Sequence, residues 1–445
     1  MYNTGLTAVR VFYHDVSQMK ILHVADYLPG LHKVSGGAEF AARRVIDEQS
    51  GAGIEVEVVT LRADFPDHVV PWRRYEMRNL DRLAPRLVYA VKQMYFPGDP
   101  LASADLAAAI AQSRPDVVHY HNLHFSGLSV TECARAAGIP SVWSIYDYWV
   151  FCPSFMLLTK ENELCLRGHG KHCVDCVGAR RLKMLKPIKR TLFGLRPSVF
   201  ARPVAAVDRL VVLSEASREL LVHHGISPQR ISVLPQYIWK EAAAVQTFAQ
   251  VVPGRMIYVG WVEQRKGLHV VIEALARVAQ EFPSLHLDVL GLPSNAGYQA
   301  QVERLALERG IADRVRFRGK VGRDELIGEL GRAFLVTIPE QWENMSPVIL
   351  TEAMAAGACV LASRVGGIRQ FVEEFRNGLM AQRDDPAEYA ERMRWAMQHV
   401  HEVSNMATNA RQRAAELFDP TSINARTLEL YQSLLSTPMQ GASLG

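Results

Sequence analysis

QWENMSPVILTEAMAAGACVLASRVGGIRQFVEE, residues 341–374, reads as a strand end, a loop, a helix and a second strand in succession. Ser346 suits the N-cap, Pro347 the first helical position and Gly357 the terminating glycine. FLVTIP (334–339) before the loop and CVLAS (359–363) after the helix are short continuous apolar runs, as expected of strands buried on both faces of a parallel sheet. Such a strand–helix–strand unit brings the helix N-terminus to the carboxyl end of the sheet, where doubly wound folds hold ligands. Its free N–H groups and partial positive charge suit a diphosphate. Glu343 lies in the loop and Glu352 two turns into the expected helix, so two carboxylates stand ready for sugar and ribose hydroxyls.

Working outward, MIYVG (256–260), HLDVLG (286–291) and VRFRG (315–319) are further strands, with helices over 269–281, 299–308 and 347–356. An earlier series holds ILHVA (21–25), VEVVTL (56–61), DVVHYHN (116–122), SVWSIYD (141–147), RLVVLS (209–214) and RISVL (230–234). The alternation predicts an α/β chain of two Rossmann-like domains facing a cleft. Residues 1–18 lack periodicity and read as a disordered or non-native extension. Residues 19–239 form the first domain, 240–254 a linker and 255–416 the second domain; 417–445 hold an amphipathic helix (421–435) crossing back to the first domain, and a tail. No G-x-G-x-x-G follows a first strand, which lowers the dehydrogenase reading.

In 445 residues, 49% are hydrophobic and 22% charged, which excludes disordered and fibrous classes. No apolar run approaches a membrane span and no secretory pattern opens the chain. Six cysteines are too few for a disulfide scaffold, so the expected compartment is the cytosol.

Glu343 to Glu352, AMAAGACVLASRVGGIRQFVE and NGL (377–379) resemble the donor site of glycosyltransferase family 4. SGGAE (35–39), RPDVVHYHN (114–122), VVLSEASRELL (211–221) and the Lys266–Gly267 pair follow the family order, so the resemblance runs nearly the whole chain from Met19. It implies the GT-B fold and transfer of a sugar from a nucleotide-sugar with retention. Lys266 matches the phosphate-binding lysine, and Arg265 is a substitute for the arginine that this family often has where Trp261 stands. The family's two glutamates are separated by seven residues, Glu343 and Glu352 by eight. A loop absorbs an insertion, so Glu343 keeps the role beside the donor sugar, with Asn344 the alternative. Ser346 and Glu352 complete the nucleotide contacts, Glu352 on the ribose. Gly36 and Gly37 let the backbone approach a phosphate or sugar. Tyr146-Asp147 stands where the family commonly has His-Asp; a tyrosine cannot act as base near neutral pH but can hydrogen-bond the sugar. His121 either reaches the cleft or is a satisfied core histidine. The implied front-face displacement needs no strong base and no divalent metal, with Glu343, Lys266 and Asp147 as its catalytic groups.

Cys152, Cys165, Cys173 and Cys176 lie within an insertion at about 150–202. Their spacing, C-x12-C-x7-C-x2-C, leaves structural zinc, free or redox thiols and an iron–sulfur cluster open, with zinc preferred. Arg180, Arg181, Lys183, Lys186, Lys189, Arg190, Arg196 and Arg202 follow with no acid between them, while the rest of the chain is net −4. Interleaved apolar residues suit an anionic membrane surface rather than nucleic acid, and Pro187 limits any single long helix. The expected enzyme works peripherally at the inner face of the cytoplasmic membrane, on a lipid-linked or glycan acceptor in polysaccharide or glycoconjugate synthesis. A nucleotide-sugar epimerase on the same fold and a non-catalytic nucleotide-sugar-binding partner of another transferase are the alternatives.

Overall fold

Continuous apolar runs become the inner strands of two parallel sheets. The computed structural model describes residues 19–33, 36–82, 85–177, 185–238, 251–294 and 296–436. Strands β1 (Lys20–Val24), β2 (Glu55–Leu61), β3 (Arg73–Met77), β4 (Val117–Tyr120), β5 (Ser141–Ser144), β6 (Arg209–Val212) and β7 (Ile231–Val233) assemble in the order β3-β2-β1-β4-β5-β6-β7. In the second sheet β8 (Arg255–Val259), β9 (His286–Leu290), β10 (Val315–Gly319), β11 (Leu335–Ile338), β12 (Val360–Ser363) and β13 (Leu379–Ala381) take the order β10-β9-β8-β11-β12-β13. Every pairing is parallel.

Helices cover both faces, as parallel sheets require. The first domain has α1 (Gly37–Gly51), α2 (Pro85–Met94), α3 (Pro100–Ser113), α4 (Thr131–Ala136), α5 (Cys173–Val177), α6 (Lys186–Ala206) and α7 (Glu215–His223). The second has α8 (Leu268–Val278), α9 (Ala296–Glu308), α10 (Arg323–Gly331), α11 (Val348–Ala355), α12 (Ile368–Phe371), α13 (Pro386–Gln398) and α14 (Val400–Leu417), followed by α15 (Pro420–Leu435). Helix α15 returns to the first domain: Tyr431 is buried in one core with Ile21, Val58 and Val117, and its hydroxyl accepts from Gln49 Nε2 (3.1 Å).

Two local expectations need correction. Helix α11 starts at Val348, with Pro347 as its N-cap at ψ 127° rather than its first residue, and Ser346 lies outside it. Glu352 therefore sits about one turn into the helix, not two. Pro187 does not shorten α6, because it falls in the first turn, where no intrahelical N–H is required. Pro197 and Pro203 lie inside the same 21-residue helix. Much of the expected linker, and Arg180, Arg181 and Lys183, fall outside the described residues.

The two domains touch across the cleft. Trp342 and Met345 of the β11–α11 loop are buried in the first domain's core cluster, and Gln236 Nε2 donates to Ser346 O (2.9 Å) and Oγ (3.0 Å).

Candidate active site

On the second-domain wall, the loops after β8 and β11 are stitched together. Gln341 N donates to Arg265 O (2.9 Å). Gly267, at φ +68°, lets the chain turn into α8; a Cβ there would stand 1.9 Å from Pro339 O. Lys266 is thereby held against Glu340, and its ammonium pairs with Glu340 Oε1. Glu340 is 2% exposed and also accepts from Asn344 Nδ2 (3.0 Å) and Trp342 Nε1 (2.6 Å). This buried carboxylate is the hub of the wall. Arg265 pairs with Glu263 (2.6 Å), and its guanidinium lies 5.4 Å from the Trp342 ring centre.

Glu343 is buried, and its Oε2 accepts from Gly366 N (2.7 Å) and Arg369 Nη2 (3.3 Å). Asn344 O receives Gly367 N (2.9 Å), which ties this loop to the β12–α12 turn. Glu352 is not on a solvated face: it is 3% exposed, and its Oε1 takes both Arg44 Nη2 of α1 and Arg323 Nη1 (2.9 Å). Arg44 also donates to Tyr237 O (2.5 Å), so a first-domain guanidinium reaches the expected ribose carboxylate.

Across the cleft Glu39 forms a capping box with Gly36, receiving Gly36 N at 2.7 Å and also Asn122 Nδ2 at 2.5 Å. A Cβ on Gly36 would lie 3.9 Å from Trp261 Nε1, and one on Gly37 3.3 Å from Val348 Cγ2. Both glycines therefore border the second-domain wall.

Asp147, after β5, pairs with His124 Nε2 through Oδ2 (3.0 Å) and accepts Trp149 N through Oδ1 (2.8 Å). Burial works against the His124 proton, but Asp147, Asp26 and Glu39 outweigh it and raise its pKa. His121 is a core histidine: His23 Nδ1 lies 2.9 Å from His121 Nε2, and His121 Nδ1 lies 2.9 Å from Tyr146 OH. The Tyr146 hydroxyl is anchored by that bond. His119 joins the same buried group through Tyr431 OH (2.6 Å) and Ser144 Oγ (2.8 Å). Burial lowers all three histidines, His23 to about 4.

Sequence reading thus missed Glu340, Arg44 and Arg323, and gave His124 no role. Their partners are 74, 308, 29 and 23 residues away, beyond any local spacing rule. The only local signal was three histidines around one strand end.

Among the described residues, the group of three or more ligand-type atoms within 4.8 Å of one another is His23, His119 and His121. All six cysteines are free thiols. Cys173 Sγ receives Gly170 N (3.3 Å), and Cys173 and Cys176 each feel the charge of other members of the Cys152, Cys165, Cys173 and Cys176 set. Next to them Arg196 is buried with no carboxylate partner among the described residues. It donates to Trp149 O (2.6 Å), contacts His169, and lies 3.7 Å over Phe200. Of the other described cations in this segment, Lys186 pairs with Asp175 (2.8 Å) and Arg202 with Glu132 (2.7 Å). The basic surface is correspondingly smaller than the sequence suggests.

The family described as "Glycosyltransferase Family 4" matches residues 35–238, and "Glycosyl transferases group 1" matches 245–413. D-inositol 3-phosphate glycosyltransferase from Streptomyces avermitilis is 30% identical over 324 residues, covering 66% of this chain and 68% of that protein. Its namesake from Geodermatophilus obscurus is 32% identical over 206 residues, 43% of this chain, and the match spans 46% of that protein's length. Among solved structures, Anabaena HepE in complex with UDP-glucose superposes with a TM-score of 0.69 at 17% identity, over 94% of this chain and all of that one. Sucrose-phosphate synthase from Thermosynechococcus elongatus gives 0.70 at 17% identity, over 94% of this chain and all of that one.

Proposed function

This chain belongs to the glycosyltransferases of family 4 and group 1, and from that premise we propose that it transfers a hexose, with retention, from a nucleotide-diphosphate-sugar to a lipid-linked or glycan acceptor. The observation that carries the reading is the placement of Lys266 and Glu343 on the loops after β8 and β11 and of Glu352 in the helix that follows, held by Glu340, Gly366 N and Arg44, all buried. Lys266 neutralises the leaving diphosphate, with Arg265 beside it and the backbone at Gly36 and Gly37 facing it. Glu352 takes the ribose hydroxyls, and Asn344 and Ser346 border the donor. Glu343 lies by the sugar and Asp147 opposite it. The C1–phosphate bond breaks, the bond from C1 to the acceptor oxygen forms on the same face, and the acceptor proton leaves on the departing phosphate oxygen. The protein supplies positioning and charge, with no divalent cation in the step.

Two further parts belong to this reading. The four cysteines draw together on one structural zinc ion, whose thiolates supply the negative charge that buried Arg196 lacks. Helix α6 seats the enzyme on an anionic membrane face: Leu185, Ile188 and Leu195 are exposed, and Lys189 and Arg190 have no ion-pair partner among the described residues. No described helix is long and apolar enough to cross a membrane. Thermal-shift screening of nucleotide-sugars tests the donor reading, since a bound ligand raises stability by mass action. At least one should raise Tm by several degrees without added metal; no shift with any of them would overturn it.

A further inference from the structure

The loop after β4 is clamped from two sides. From the end of β1, Asp26 accepts Phe125 N (2.5 Å) and Ser126 N (3.0 Å). From α2, Gln93 Nε2 donates to His124 O (2.9 Å), and buried Lys92 donates to Phe125 O while pairing with Asp81 (2.8 Å) and Asp99 (3.0 Å). A loop fixed this firmly holds its side chains in one geometry. It sets His124 on Asp147 and presents the Phe125 ring between two tyrosines, 4.7 Å from Tyr89 at 26° and 4.8 Å from Tyr27 at 58°. Tyr27, Tyr89 and Phe125 are all half-buried, so this aromatic wall keeps a face to solvent. His124, Asp147 and Trp149 also line a shallow, open recess at the end of β4 and β5.

The electrostatics of this wall are one-sided. Besides their burial, the charges that raise the Tyr27 hydroxyl pKa are Asp26, Asp81 and Asp64, and those acting on Tyr89 are Asp147, Asp26 and Asp81. The buried lysine behind the wall is already committed to Asp81 and Asp99. Five carboxylates (Asp26, Glu39, Asp81, Asp99 and Asp147) thus act on Lys92 and His124 among the described side chains. A phosphorylated ligand would bring a dianion into that field of carboxylates.

We propose that Tyr27, Tyr89 and Phe125, with the His124–Asp147 pair, form the acceptor subsite, and that it takes an uncharged pyranose rather than a phosphorylated polyol. The inference rests on the donor reading above and names the acceptor class for the same cleft. The sugar's C–H face lies on the aromatic rings, which offer large apolar area at little entropic cost. Asp147, whose orientation His124 and Trp149 N fix, accepts from a neighbouring hydroxyl of the sugar, and the reacting hydroxyl keeps its proton for the departing phosphate oxygen. This separates the chain from relatives named for inositol 3-phosphate, although they share its family.

The test uses the full chain saturated with UDP, with binding of methyl hexopyranosides and of D-inositol 3-phosphate followed by saturation-transfer NMR and titration. At least one methyl pyranoside should bind through its ring protons and more than tenfold tighter than D-inositol 3-phosphate. Tyr89→Leu, which keeps apolar bulk but removes the ring, should weaken pyranoside binding about tenfold while the UDP titration stays unchanged. Phe125→Leu should do the same; if it fails to fold, Tyr89→Leu decides alone. Tighter binding of D-inositol 3-phosphate, no pyranoside binding, or pyranoside affinity unmoved by Tyr89→Leu overturns the proposal. UDP binding is read in the same samples, so failure of the donor site appears separately.

Discussion

Replacing Lys266 by Ala removes the only cation bonded to Glu340 among the described residues, and that carboxylate side chain is 3% exposed. Breaking a buried pair costs about 3–5 kcal/mol. Lys266 itself is 20% exposed, and Glu340 keeps Trp342 Nε1 and Asn344 Nδ2. A loss of about 2–3 kcal/mol of folding stability is therefore expected. That loss would mimic a catalytic defect, so the informative variant is Lys266→Ala with Glu340→Gln. The second change removes the orphaned charge and restores most of the stability, but it does not restore the phosphate contact. A charge-assisted hydrogen bond to a diphosphate is worth about 1.5–3 kcal/mol, or roughly 10–150-fold in Kd. Urea unfolding and calorimetric titration with UDP-glucose and other nucleotide-sugars separate the two effects. Wild-type donor affinity in the stable double variant would refute Lys266 as the diphosphate ligand.

Three further outcomes are expected. His23, His119 and His121 are buried with pKa values below that of an unfolded histidine, so the unfolded chain takes up protons first as pH falls; stability should drop between pH 6.5 and about 4, by about 3 kcal/mol for His23 alone, and a flat profile of urea midpoints across that range would count against it. Metal analysis of protein purified without chelator should find one zinc per chain that is lost in Cys173→Ser together with Cys176→Ser; zinc-free protein with wild-type stability would exclude the site. Sedimentation with anionic vesicles should carry the chain down at low salt and release it at 1 M, with Lys189→Gln and Arg190→Gln weakening it severalfold, whereas equal binding to neutral vesicles would rule out the electrostatic seat.

Apolar runs made the inner strands legible, because a strand buried on both faces must be apolar throughout. Edge strands escaped this logic. RRYEM (β3) lies at the sheet margin with four of its five residues not fully buried, and LMA (β13) is too short to carry a pattern. The start of α11 was misjudged by one residue because Pro347 has a φ of −62°, which fits both the helix and its cap, and only ψ separates them. Lys266, Glu343 and Glu352 were singled out through the family pattern, and the structure sets them on the loops after β8 and β11 and in the helix that follows. Glu340, Arg44 and His124 were not found, because each acts through a partner that the fold, not the local sequence, brings near. The four cysteines were conspicuous by spacing, and since no three of them form a group within 4.8 Å among the described residues, a bound ion would have to draw them together.

The central claim is retaining transfer, and the anomeric configuration of the product tests it most directly. The chain is incubated with UDP-α-linked sugars and a neutral pyranoside acceptor, and the new glycosidic proton is read by NMR as UDP is released. The account predicts an α-linked disaccharide formed in step with the released nucleoside diphosphate, without added metal, and abolished in Lys266→Ala with Glu340→Gln. A β-linked product, or conversion of the nucleotide-sugar into its epimer without an acceptor, would contradict it.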